Sequence, residues 1–197
     1  MKAARVIACA GIGAIAAMTL AACHSLPPLH YYALDAVPPS AAAAAPAFAN
    51  PLHIRHLSIP HEMDHLGLTH RIGPTQLAIS DNEQWSAPLT DLIQGTLTRD
   101  LGARLGFEHV MAPDALAGAA ANGMAALDLD FVGLVADDAC AIQAQVNWTV
   151  SIPGQAAREG TLHLTAPGGG CPAGLPAALS AALGDLADQL AVQLRAP

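Results

Sequence analysis

The sequence is poor in basic residues. Lysine and arginine together number 8 against 16 acidic residues in 197, and Lys2 is the only lysine. Lys2 and Arg5 both precede residue 6, so six arginines against 16 acidic residues leave the rest of the chain with a net charge of −10. Such a chain has little with which to follow a phosphate backbone or an anionic membrane face. The composition therefore excludes nucleic acid as a partner.

Hydrophobic runs long enough to cross a membrane are also missing. Hydrophobic residues make up 53 % of the chain, but alanine supplies much of that share. The longest run, from Val6 to Leu20, is shorter than the roughly 20 residues that a membrane helix needs. Because this run follows Lys2 and Arg5 and ends in small residues, it is typical of a secretory signal.

The signal ends in Leu20-Ala21-Ala22-Cys23, which resembles the lipobox of bacterial lipoproteins. In that class the signal is cut before the cysteine, and the cysteine is acylated on its sulfur and its new amine. Two or more acyl chains give stable anchoring. The resemblance implies a signal peptide over residues 1–22 and lipidation at Cys23. The alternative is a plain signal peptide with a chance cysteine.

His24 follows the lipobox cysteine. An aspartate there would suggest retention in the inner membrane, so the resemblance implies an outer-membrane, lipid-anchored, periplasm-facing protein. The residues after the signal divide by composition into a tether with a first strand (23–36), an Ala/Pro-rich linker (37–51) and the remainder of a single α/β domain (52–197).

Two amphipathic helices stand out in this domain. One opens after Trp85 with Ser86 as its cap and closes at Gly106; the other runs from Leu179 to Leu194. Arg104 and Asp188 fall on their outer sides. The fold class predicted is a two-layer α/β sandwich, a mixed and mainly antiparallel sheet packed by two helices. Strands are predicted over 29–34, 52–59, 76–80, 107–111, 125–135, 140–152 and 160–166, with a weak helical turn over 113–121.

Four cysteines occur, and two of them remain for structural use. Cys9 leaves with the signal and Cys23 is the lipid site, so Cys140 and Cys171 are left. An oxidising compartment favours a disulfide between them.

Hairpin geometry supports this pairing. If Ile152 and Ala157 flank the turn, the position opposite Cys140 is roughly residue 169, which is close to Cys171. Two separate buried thiols are the alternative.

One stretch has the form of a catalytic motif. His61-Glu62-Met63-Asp64-His65 matches H-E-x-x-H, in which two histidines one helical turn apart bind zinc and the glutamate activates water. Pro60 and Gly67 leave room for hardly two turns of helix, and His70 or Glu83 as a third ligand would stand at no recognised spacing. We therefore predict no catalytic residue, no metal site and no cofactor, with a zinc-dependent hydrolase as the alternative.

Several short motifs follow one another in the order and spacing of a known family. They are Tyr31-Tyr32-x-Leu34, Leu52-x-Ile54-x-x-Leu57-x-Ile59-Pro60, Met63-Asp64-His65 ahead of Arg71, and Asp81-x-x-x-Trp85-x-x-x-Leu89. This succession resembles the PqiC-like lipoproteins, the auxiliary components of ABC-type lipid transport systems that contain MCE-domain proteins. His65 and Gln84 depart from the family pattern, where arginine is common.

The resemblance implies a non-enzymatic auxiliary lipoprotein of an MCE/ABC-type system that moves phospholipid between the two membranes. Its implied partners are the MCE-domain periplasmic protein, the inner-membrane transporter behind it and the outer membrane. A homo-oligomer remains open, and a purely structural envelope lipoprotein is a further alternative.

Overall fold

The computed structural model describes residues 27–40, 51–112 and 123–195. The signal peptide, Cys23, most of the predicted linker and all of the predicted helical turn over 113–121 lie outside these residues. Within them, no helix has both the length and the apolar character needed to span a membrane. The elements are β1 (His30–Tyr32), β2 (Leu52–Ser58), β3 (Gly67–Gly73), β4 (Gln76–Trp85), α1 (Leu89–Leu105), β5 (Val110–Met111), β6 (Ala125–Ala136), β7 (Ile142–Ser151), β8 (Arg158–Ala166) and α2 (Leu175–Arg195).

Five strands form the larger sheet, in the order β5-β2-β6-β7-β8. β2 runs parallel to β5 and β6, whereas β6, β7 and β8 form an antiparallel meander. Along β7, alternate residues from Ile142 to Val150 are buried, and the residues between them are exposed or half-buried. This is the alternation that the sequence predicts for a sheet with one wet face.

The hairpin between β7 and β8 differs by one residue from the predicted register. Ile142 pairs with Ala166, whereas the prediction places Ile142 opposite the residue after Ala166. The turn is tighter than expected because the Gln155 N–H donates to the Ile152 carbonyl. A shift of one residue moves a side chain to the other face of a sheet. The observed register therefore lets Leu164, which is 3 % exposed, point into the core.

A second, three-stranded sheet has the order β1-β4-β3. The sequence analysis missed β3, since His70 and Arg71 interrupt any apolar alternation, and it ended β4 near Ser80 instead of Trp85. At Gly67 a Cβ atom would lie 2.3 Å from the Ser80 carbonyl oxygen, so the close approach of the two strands requires glycine. The predicted class, a mixed α/β sandwich, is confirmed, with its strands divided between two sheets.

Both helices occur where the apolar periodicity predicts them, but their first turns differ. α1 begins at Leu89 with Pro88 as N-cap and no side-chain cap, so the prediction of Ser86 as the cap is wrong, and Trp85 belongs to β4. Gly106 ends α1 as expected. α2 begins at Leu175, four residues before the predicted start.

The two helices pack against each other and against the five-stranded sheet, so one sheet face is covered and the other is open. Their leucines and the inward residues of β6 and β7 form one continuous core. Its largest fully buried side chains are Leu52, Leu68, Leu89, Ile93, Leu97, Leu101, Leu105, Leu127, Leu129, Leu134, Ile142 and Leu175.

Cys140 and Cys171 form a disulfide, with their Cα atoms 5.2 Å apart. Cys140 follows the turn that joins β6 to β7, and Cys171 lies shortly before α2. The bridge therefore attaches the start of α2 to the end of the long β6–β7 hairpin, as the sequence predicts.

Candidate functional site

The H-E-x-x-H stretch does not form the helix that a zinc-binding motif of this kind uses. Residues 61–63 form a turn between β2 and β3, in which the Met63 N–H donates to the Pro60 carbonyl. Met63 is buried in the core, whereas His61, Glu62 and His65 are exposed. The stretch on which the hydrolase alternative rests is thus a surface turn fixed by one apolar side chain.

The third ligands considered for that motif lie elsewhere. Glu83 carries a carboxylate oxygen 3.4 Å from His30 Nδ1, at the edge between β1 and β4. In the described parts of the chain, three potential ligand atoms come within 4.8 Å of one another only at His70, Cys140 and Cys171. Because those two cysteines form the disulfide, the cluster is not a metal centre while the bridge is closed.

The segment that follows β1 is held against both helices by a buried ionic network. Arg104 is 3 % exposed, which corrects its predicted place on the outer side of α1. Its guanidinium donates to the Asp188 carboxylate at 2.6 Å and to the carbonyls of Val37, Asp100 and Gly184 at 3.0–3.1 Å. We call Asp100, Arg104 and Asp188 the clamp.

The two carboxylates of the clamp accept hydrogen bonds from the backbone of the segment that follows β1. Asp100 accepts the Val37 N–H at 2.8 Å, and Asp188 accepts the Ser40 N–H at 3.4 Å. Burial raises the pKa of Asp100, although the Val37 N–H and Arg104 partly offset this effect. For Asp188, burial acts upward too, but hydrogen bonds from Arg104 and Ser40 outweigh it and lower the pKa. The clamp therefore consists of the ion pair between Arg104 and Asp188, beside Asp100, whose charged form is disfavoured by burial.

Packing reinforces the clamp. A Cβ atom at Gly184 would lie 2.7 Å from the Val37 Cβ, so the segment after β1 lies directly on the backbone of α2. One turn earlier in that helix, the Ser180 hydroxyl accepts the Asp35 N–H at 3.1 Å. Leu34 is buried in the core. Residues 33–40, which lead away from β1, are thus part of the folded domain and not a loose tail.

The open face of the five-stranded sheet is polar and acidic. A cleft of about 480 Å³ crosses it, and its lining includes Asp128, Asp130, Asn147, Glu159 and Thr161. None of the described elements packs over this cleft, since both helices lie on the opposite face. We call these five residues the acidic face.

Hydrogen bonds across the strands order parts of this face. Arg55 forms an exposed ion pair with Asp128, which raises the pKa of the Arg55 guanidinium. Ser58 donates to Asp130, and Thr161 donates to the Asn147 side chain at 2.8 Å. Because Arg55 is the one basic partner among these contacts, the face keeps an excess of negative charge.

Sequence reasoning missed the clamp and the contact of His70 with the disulfide. Asp100 and Arg104 stand four residues apart, a spacing at which opposite charges meet on a helix, and this was the available signal. Nothing in the sequence places His70 near Cys140, because His70 lies in β3 of the smaller sheet and Cys140 lies in the connection between β6 and β7 of the larger one.

Comparisons with known proteins agree with this fold. Residues 32–191 match the family model described as ABC-type transport auxiliary lipoprotein component. No curated protein matches the chain significantly. A solved structure titled only as an uncharacterized protein has a TM-score of 0.67 at 16 % identity, covering 85 % of this chain and 99 % of its own.

Protein XCC0632 from Xanthomonas campestris is a second structural neighbour. Its crystal structure has a TM-score of 0.61 at 19 % identity and covers 83 % of this chain and 92 % of its own. At such identities the two structures show a shared fold alone. The family match spans most of the chain, and the protein therefore belongs to the ABC-type transport auxiliary lipoprotein components.

Proposed function

We propose that this protein is a non-enzymatic outer-membrane lipoprotein that serves an MCE/ABC-type system for intermembrane phospholipid transport. The family match over residues 32–191 carries the proposal, together with the lipobox that ends at Cys23. The partners would be the MCE-domain periplasmic protein and, through it, the inner-membrane transporter.

The tether length fixes how far the domain can stand from the membrane. Six residues separate Cys23 from His30, where β1 begins, so the chain takes seven residue steps from one to the other. A fully extended chain covers about 3.3–3.6 Å per residue, so β1 can begin at most roughly 25 Å from the anchor. The clamp holds the segment after β1 against the helices, so this segment adds no length to the tether. An acylated Cys23 would therefore keep the three-stranded sheet close to the lipid surface.

The interior of the domain supports a docking role over the carriage of lipid inside it. The gap between the two sheets is lined by apolar side chains that include Met63, Trp85 and Leu134, yet it has no room for a water molecule. An acyl chain is far larger than that. We therefore place the interaction on the surface, with the acidic face as the site that binds the MCE-domain protein.

Two measurements test this proposal. Cys23→Ser should leave the protein unlipidated and free of the outer membrane in fractionation, while its fold stays intact. The tagged wild-type lipoprotein should co-purify the MCE-domain protein from crosslinked cells. Cells without the tagged lipoprotein serve as the control and should yield none. Retention of the Cys23→Ser variant in the outer membrane would place the anchor elsewhere.

The docking face has its own test. Asp130→Lys combined with Glu159→Lys reverses two exposed charges on the acidic face, whereas Asp185→Lys reverses an exposed charge on α2 and serves as the control. We expect the double variant to lose capture of the MCE-domain protein and the control to retain it. Equal capture by both would move the contact to another surface, and failure of the wild type to capture any MCE protein would favour a purely structural lipoprotein.

A further inference from the structure

The disulfide has a histidine beside it. One ring nitrogen of His70 lies within 4.8 Å of the sulfur atoms of both Cys140 and Cys171. Cys140 is buried, while His70 and Cys171 are partly exposed, so the cluster lies just below the surface. Two sulfurs and one imidazole nitrogen form the donor set of a Cys2His zinc site with an open fourth position.

His70 is not satisfied in the oxidised protein. Its Nδ1 atom is buried and has no hydrogen-bond partner within the described residues. A buried polar atom without a partner costs free energy. The disulfide is a poor partner in either direction, because its sulfur atoms carry no hydrogen to donate and are weak acceptors. A metal ion or a thiol proton could do so after the bridge is opened.

The turn around Cys140 is built independently of the bridge. One carboxylate oxygen of Asp137 accepts the N–H groups of Ala139 and Ala141 at 2.9 and 2.8 Å, and the Cys140 N–H donates to the Asp137 carbonyl. Cys140 itself has a φ of 61°, a left-handed conformation that this turn imposes. These bonds do not involve the sulfur, so reduction leaves Cys140 held in place.

Close backbone packing holds the other side of the cluster. A Cβ atom at Gly168 would lie 2.0 Å from the Ala139 carbonyl oxygen, and the Gly170 N–H donates to that same carbonyl. The Cys171 sulfur lies 3.3 Å from the Asp137 carbonyl oxygen, to which a thiol can donate although a disulfide cannot. The two cysteines thus stay neighbours without the bond between their sulfurs.

From this geometry we propose that the protein, once its disulfide is reduced, binds one Zn²⁺ through Cys140, Cys171 and His70. An external dithiol supplies two electrons and two protons to the two sulfurs and itself becomes a disulfide. Zn²⁺ then displaces the protons of both thiols, and neutral His70 donates its free ring nitrogen. The metal would join β3 of the smaller sheet to the β6–β7 turn of the larger one.

The test uses the full chain with Cys9→Ser and Cys23→Ser, so that Cys140 and Cys171 are its only thiols whatever the state of the lipid site. The protein is reduced with a phosphine and titrated with Co²⁺, which reports thiolate ligation by charge-transfer absorption. We expect one Co²⁺ per chain, displacement by Zn²⁺ and no such absorption from the oxidised protein.

Variants at His70 separate this site from adventitious binding. His70→Ala should weaken binding about tenfold or more, since even outer partners of metal ligands cost that much. His61→Ala with His65→Ala, on the exposed turn, should change nothing. If His70→Ala fails to fold, His70→Cys keeps a third ligand and should strengthen the charge-transfer band. Absence of that band in the reduced chain, or equal affinity after His70→Ala, would overturn the proposal.

Discussion

Replacing Arg104 by methionine should destabilise this fold strongly. Methionine keeps an apolar stem of similar reach but removes the guanidinium. The substitution deletes four hydrogen bonds, to Asp188, Val37, Asp100 and Gly184. It also leaves two carboxylates without their cation, one of them on the fully buried Asp100.

The magnitude follows from the burial of the network. Removing one partner of a buried ion pair costs about 3–5 kcal/mol, because an uncompensated charge remains in the interior. A domain has only about 5–15 kcal/mol of stability in total. At this chain length, 1 kcal/mol corresponds to roughly 2–4 °C in Tm. Arg104→Met should therefore lower the melting temperature by about 6–20 °C.

Arg55→Met provides the matched control. Arg55 also pairs with an aspartate, Asp128, but its side chain is 55 % exposed. Exposed pairs contribute about 0.2–1 kcal/mol, so Arg55→Met should move Tm by no more than a few degrees. Thermal melts followed by circular dichroism compare the two variants directly. Equal losses of Tm for both variants would refute the role assigned to the clamp. So would a double variant, Arg104→Met with Asp188→Asn, that melts no higher than Arg104→Met alone.

Three further outcomes follow from the fold. The bridge between Cys140 and Cys171 closes a loop with a sequence separation of 31, so its removal by alanine at both positions should cost roughly 3–4 kcal/mol; that variant should melt at the same temperature with and without reductant. Burial raises the pKa of Asp100 above its ordinary value of 3.8. The stability of the wild type should therefore fall as the pH rises from 3.8 through the pKa that Asp100 has in the folded state. Urea melts of Asp100→Asn across this pH range should not show that fall. Gly160→Val should cost about 1–3 kcal/mol in urea melts by overpacking, because a Cβ there lies 2.9 Å from the Trp148 indole nitrogen; an unchanged midpoint would show that the indole moves aside freely.

The elements that periodicity could predict are those with one wet and one dry face. β7 alternates without interruption, and both helices carry a leucine stripe, so their packing faces were readable from the sequence alone. The cysteine pair was readable as well, because removing Cys9 and Cys23 from the count leaves one possible bridge. In each case a local pattern or a count was sufficient.

What the sequence did not predict depends on contacts between distant residues. The sequence predicts Arg104 to be a surface arginine, because its partners Val37 and Asp188 lie 67 and 84 residues away along the chain. It is buried only because the segment after β1 packs over it. β3 carries His70 and Arg71 in its middle and shows no apolar period. At the H-E-x-x-H stretch, Pro60 and Gly67 already argue against a long helix, but the turn itself depends on the burial of Met63, which no local pattern predicts.

The order of β1 and the clamp along the chain has a mechanical consequence. A protein tethered at Cys23 takes any pull from the membrane through its first residues. Tension would reach β1 first, which pairs with β4 and whose Tyr32 carbonyl accepts the N–H of Ser86, the residue after β4. It would next meet the bonds that grip Val37 and Ser40, before any strand of the larger sheet is loaded. If Cys23 is lipidated as proposed, the acidic face would therefore keep its shape while the anchored end of the chain bears the pull.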